Sequence, residues 1–176
     1  TLWPGLERVP SDSAPQLQNT SHIITAHVTV PSGGCEGALI TDGDRWGGYA
    51  MFVQDGVPCF HYHFPLERHE VRGVDALTPG DHTITWTLTK LDRVSGQGQL
   101  QVDGVVVGTV EIPRIIRGWM PFGGMNLGCD NGAPVATTYE SPFPFTGTLD
   151  RVEVQLIGHD PGPDRTAEHR AEMGKQ

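Results

Sequence analysis

A few residues have the types and spacing to do chemistry, and Asp150 is the first. It shares the period-2 parity of Val152, Val154 and Leu156 in a strand-like run over 147–156, which predicts that it points towards the core. A buried, unpaired carboxylate costs several kcal/mol, so it needs a cation or several backbone N–H donors. A structural calcium, completed by backbone carbonyls and other side-chain oxygens, meets that need. A strand-end Asp capping the turn at Thr146-Gly147-Thr148 is the alternative. Asp130-Asn131, in a long Pro/Gly-rich loop, offers further oxygens for calcium or an ordinary Asx turn.

His61, Tyr62, His63 and His69 form the one histidine cluster. His61 and His63 are two apart on a strand and share a face, an acceptable geometry for two zinc ligands, but no third ligand follows at fixed spacing. Histidines lying on a sheet face are the plainer reading. Glu67 and Glu70 differ in parity along an extended strand, as do Asp150 and Glu153. Neither pair can make the two carboxylates about 5 Å apart on one face that a retaining glycosidase requires. No G-x-S-x-G elbow, H-E-x-x-H helix or phosphate-cradling Gly-rich loop is present. Trp46, Tyr49, Tyr62 and Trp119 are candidates for a sugar-stacking platform, with core or rim positions as the alternative. Cys35, Cys59 and Cys129 are odd in number and widely spaced, which fits buried thiols, or one disulfide and a spare thiol.

The elements that must position these groups read as strands. Residues 22–30 alternate, with Ile24, Ala26, Val28 and Val30 on one face. Asp55-Gly56 between Tyr49–Gln54 and Val57–Phe64 is a tight hairpin whose register sets Met51 opposite Phe60, Tyr49 opposite Tyr62 and Phe52 opposite Cys59. Both faces of that hairpin are apolar, as in a strand pair covered on both sides or facing a partner. Residues 82–89 alternate Ile84, Trp86 and Leu88 with threonines. A loop over 95–98 leads to a second hairpin at Asp103-Gly104. The Pro/Gly-rich stretch over 129–144 is long enough to be a functional or ion-holding loop.

Residues 1–21 read as an extended lead-in, with Leu2, Trp3 and Leu6 as anchors. Residues 22–158 read as one β-sandwich domain. Residues 159–176 read as a linker and a short polar helix capped by Asp164 and ended by Gly174. About ten short strands and two tight hairpins give an all-β fold, an antiparallel two-sheet β-sandwich of jelly-roll type with a short C-terminal helix.

Composition narrows the partners. Twelve basic against twenty-one acidic residues give a formal charge of −9 over 176 residues, which disfavours nucleic acid and anionic membrane surfaces. No apolar run approaches the roughly 20 residues that span a bilayer. The chain begins at Thr1, as expected of a processed chain or a piece of a longer one.

Several segments together resemble the C-terminal part of one group of bacterial arylsulfatases. They are the run Asn19 to Ala26, the turn with Gly33, Gly34, Glu36 and Gly37, and Gly47-Gly48-Tyr49 before the first hairpin. Leu66-Glu67-Arg68, Gly128-x-Asp130-x-Gly132-x-Pro134-Val135 and Pro142 to Thr148 continue the likeness, with flanks at Trp3-Pro4-Gly5 and Ala171-Glu172-Met173. The resemblance implies a concanavalin A-like domain appended to a sulfatase catalytic domain in the same parent chain. That family's chemistry needs a C/S-x-P-x-R motif, which none of the three cysteines here opens, so no catalytic residue carries over. Asp150 matches the acidic residue that opens the final strand in the wider lectin-like fold and holds a structural calcium there. The expectation is a non-catalytic accessory domain of an arylsulfatase-type enzyme. The apolar hairpin, the lead-in and the terminal helix would then await that neighbour. The alternative is a free-standing lectin-like carbohydrate-binding module, and an autonomous hydrolase is the third option.

Overall fold

Apolar–polar alternation does sort this chain into strands, as a computed structural model describing residues 1–10, 12–64, 66–118 and 123–158 shows. In chain order they are β1 (Ser21–Val30), β2 (Gly37–Asp44), β3 (Gly47–Gln54), β4 (Val57–Phe64), β5 (Glu67–Arg72) and β6 (Gly80–Lys90). β7 (Gly96–Val102), β8 (Val105–Ile112), β9 (Met125–Leu127), β10 (Cys129–Asp130), β11 (Phe143–Pro144) and β12 (Thr148–Ile157) complete the set. No helix occurs among the described residues, and the expected C-terminal helix lies outside them. Sheet A has the order β12-β1-β6-β7-β8 and sheet B the order β5-β4-β3-β2-β9, and every neighbouring pair is antiparallel. The result is the two-sheet β-sandwich that the sequence predicts.

Both hairpins form at the Asp-Gly pairs. Asp55 and Gly56 have φ of 54° and 77°, and Asp103 and Gly104 have 51° and 80°, the left-handed values a two-residue hairpin turn demands. The register is the expected one, with Met51 against Phe60, Tyr49 against Tyr62 and Phe52 against Cys59. Between the sheets, Phe60 of β4 lies flat on Trp86 of β6, with ring centroids 3.7 Å apart and an interplanar angle of 3°. This contact explains Gly98 on β7. A Cβ there would sit 2.0 Å from the Trp86 ring, so no larger residue fits while the indole stays in place.

Three expectations need correction. The stretch over 95–98 is strand from Gly96 onwards, because its glycines admit the neighbouring Leu88, Ile115 and Trp86 side chains against the backbone. The apolar outer face of the β3–β4 hairpin is covered by the chain's own long loop. Val135, Ala136, Tyr139 and Phe143 pack there against Ala38, Ala50, Phe52 and Cys59 as a second small core. Finally, the lead-in is tied down only in part at the expected residues. Leu2 does bridge to Val152 and the Leu6 carbonyl accepts the Leu127 N–H, but the Trp3 and Leu6 side chains are exposed, and Val9, which was not expected, pairs with Met125.

Candidate functional site

Four inward-facing side chains meet at one end of the sandwich. Register places Asp42 of β2, Tyr49 of β3 and Tyr62 of β4 side by side on the core face of sheet B. His22 of β1 faces them from sheet A, and Leu17, Gln18 and Ile116 close the space from the flanking segments. The glycines Gly43 and Gly48 sit against each other, with φ of 120° and 136°. A Cβ on either would strike the opposing backbone at about 2 Å, so the strand pair closes tightly below the turn. The cavity between these side chains is small, about 30 Å³, and opens partly to solvent.

Its electrostatics are one-sided. Asp42 is buried and has no hydrogen-bond or ion-pair partner among the described residues. Burial alone pushes its carboxyl up to about 6. His22 is brought down to about 4 by burial, against the pull of the Thr20 and Leu17 carbonyls; its Nδ1 lies 3.1 Å from the Thr20 oxygen. Tyr49 is held well above its ordinary value by burial and by the Asp42 charge. Tyr62 is raised by burial, while its hydroxyl oxygen accepts the Ile116 N–H at 2.7 Å. At neutral pH, Asp42 is therefore the one charge on the cavity wall among the described residues.

The aromatic candidates divide. Trp46 is 62% exposed on the β2–β3 turn, its N–H donating to Asp44 Oδ1 at 2.7 Å and its ring 5.3 Å from the Arg45 guanidinium. Tyr49 and Tyr62 offer no stacking face. They are core residues, 6% and 4% exposed, and Tyr49 stacks on Phe60. They belong to the cavity wall instead. Trp119 lies outside the described residues.

The histidine cluster splits across sheet B. His61 and His63 share its outer face, while His69 is opposite Tyr62 and shares that residue's face. His61 Nδ1 lies 3.4 Å from Glu70 Oε2. Burial, then the Arg68 and His69 charges, hold His61 down at about 4, so this is a neutral imidazole donating to a carboxylate and not an ion pair. His63 is also lowered, by burial and by Arg68. His61 Nε2 and His63 Nδ1 are buried without a partner among the described residues. As predicted, Glu67 and Glu70 fall on opposite faces of β5, Glu67 pairing with Arg114 at 2.7 Å and Glu70 with His61.

The two calcium candidates do not behave as the sequence suggests. Asp150 is the extra residue of a β-bulge. His27 pairs with Arg151 and Val28 with Leu149, so Asp150 is left between them and exposed, and the burial that called for a cation is absent. Asp130 is buried, but its oxygens are occupied. Oδ2 accepts the Tyr139 hydroxyl at 2.7 Å and the Val135 N–H at 3.3 Å, and Oδ1 accepts the Gly132 N–H at 3.3 Å. Among the described residues no group of three or more His, Cys, Asp or Glu side chains is placed to hold a metal. No disulfide joins the three cysteines.

Asp42 was not visible as a site residue because Gly37–Asp44 did not read as a strand. Its signal is parity with Ile40, which a bulge between Ala38 and Ile40 and the turn-like Asp42-Gly43-Asp44 ending both obscure.

The sequence matches no protein-family profile and no curated protein. Solved structures do share its fold. The CBM40 of the Ruminococcus gnavus IT-sialidase, solved bound to α2,3 sialyllactose, is similar over 92% of this chain and 95% of its own, at 14% identity and a TM-score of 0.64. Domains LG4-5 of the mouse laminin α1 chain are similar over 90% of this chain and 43% of theirs, at 15% identity and a TM-score of 0.60. The leech intramolecular trans-sialidase is similar over 89% of this chain and 26% of its own, at 11% identity and a TM-score of 0.58. At such identities the likeness is one of fold, a lectin-like β-sandwich.

Proposed function

We propose that this chain is a non-catalytic, lectin-like carbohydrate-binding module. The observation that supports it most is the end-to-end correspondence with a carbohydrate-binding module, 92% of one chain with 95% of the other. The chain's own residues fit that reading. Trp46 stands exposed on the β2–β3 turn, two residues before Gly48, which lines the cavity with Asp42, Tyr49 and Tyr62. Glu67 and Glu70, on opposite faces of β5, lack the same-face geometry of glycoside cleavage.

A place beside a sulfatase catalytic domain has less support. The apolar hairpin face that seemed to await a neighbour is covered by the chain's own loop, and no comparison leads to a sulfatase. Finding a C/S-x-P-x-R motif upstream in the same reading frame would restore that placement.

Calorimetric titration tests the module itself, using 3′-sialyllactose, 6′-sialyllactose, lactose, β-glucan oligomers and amino-sugar oligomers. At least one series binds saturably, and Trp46→Ala weakens it about five- to tenfold. A panel with no binder, or sustained turnover of an aryl sulfate by the pure chain, refutes the proposal.

A further inference from the structure

Resting on that reading, we infer that the end cavity is a subsite for a protonated amine, and that the sugar it selects carries a free amino group. Four observations lead there. Asp42 is 91% buried, points into the cavity and has no partner among the described residues. A buried carboxylate in that state is costly, and a cation bonded to it removes the cost. None of the other lining residues supplies that cation: Leu17, Gln18, His22, Gly43, Gly48, Tyr49, Tyr62 and Ile116 include no Lys or Arg, and His22 is held neutral by its own burial. With no cation facing Asp42 among the described residues, a cationic group of the ligand would supply it.

Size and field agree with this. The small cavity admits an ammonium group, which is close to a water molecule in bulk. The formal charge of −9 draws cations towards the molecule at long range. Trp46, two residues from the cavity-lining Gly48, offers a ring face to the rest of such a sugar.

The test titrates the full chain with chitosan oligosaccharides and with their N-acetylated counterparts, between pH 5 and 7. Amine-bearing oligomers bind about tenfold more tightly at pH 7. Towards pH 5 two protonations oppose each other, that of Asp42, which weakens the preference, and that of the sugar amine, which strengthens it, so the Asp42→Asn comparison at each pH carries the test. In Asp42→Asn the two series converge. Equal affinities for the two series in the unaltered protein, or a preference that survives Asp42→Asn, overturn the inference and leave the binding module standing. Failure of every saccharide to bind overturns both.

Discussion

Asp42 and His82 show how the same residue types acquire opposite roles from their surroundings. Asp42 has burial and no partner; His82 has partners on both ring nitrogens. Its Nδ1 lies 2.7 Å from Asp103 Oδ2 and its Nε2 2.8 Å from the Thr78 carbonyl, while Asp103 Oδ1 accepts the Thr83 N–H at 2.7 Å. Burial pulls His82 down, but the Asp103 and Thr78 hydrogen bonds and the charges of Asp103 and Asp81 outweigh it and raise the imidazole above its ordinary value. A raised histidine stabilises the fold below its unfolded value of 6.5, and that contribution is lost as pH rises through the folded value. Asp103→Asn keeps an acceptor for Thr83 and a residue tolerant of the left-handed turn, and removes only the charge. It should lower stability by up to ~1 kcal/mol at pH 6 and by less at pH 9, read from urea midpoints. An equal loss at both pH values would show that the charge contributes nothing.

At the level of elements, two side chains tether the loop between β10 and β11: Gln54, whose Nε2 donates to the Thr138 carbonyl at 2.6 Å, and Asp130. Asp130 organises it through three donors, and the loop in turn covers Phe52, with Tyr139 and Phe143 stacked at 4.5 Å between centroids. Asp130→Ala leaves Tyr139 and two backbone N–H groups without their acceptor, at a cost of roughly 2–3 kcal/mol. It should also open the segment over 131–142 to limited proteolysis. Tyr139→Phe removes one bond of the three and costs about 1 kcal/mol. If Asp130→Ala melts no earlier than the parent chain, the loop is held by its apolar contacts and the Gln54–Thr138 hydrogen bond. Strand periodicity and the two Asp-Gly turns made most of this architecture legible in the sequence, down to the Phe52–Cys59 register. What stayed hidden was irregular. The bulge at Asp150 reverses the parity on which its calcium role was argued, and the bulge in β2 masks the inward turn of Asp42. Period-2 reasoning is blind to an inserted residue. The mutual cover of Phe52 and Tyr139, residues far apart in the chain, has no local sequence signal either.

Across the whole molecule, buried imidazoles on both sheets set its response to acid. His22 in sheet A and His61 in sheet B are each held at about 4, and His63 is lowered beside His61. Between pH 6.5 and 4 the unfolded chain protonates these groups and the native chain does not, so stability falls as pH drops through that window. Asp42 acts the other way. Raised to about 6, it binds a proton in the native state between 6 and its ordinary value of 3.8, which favours the fold as pH falls. Glu70, also raised by burial, adds to that offset. Two deeply lowered histidines and a third outweigh the two carboxyls. The net expectation is a loss on the order of 3 kcal/mol between pH 6.5 and 4. Urea midpoints measured across that range should fall steadily, and His61→Gln should flatten the decline. Asp42→Asn should instead steepen it, while raising stability at pH 7, because the charge whose burial opposes folding is gone. A stability profile that is level from pH 7 to 4.5 would mean that these rings are hydrated in the native state, and the one-sided charge of the end cavity would lose its basis with them.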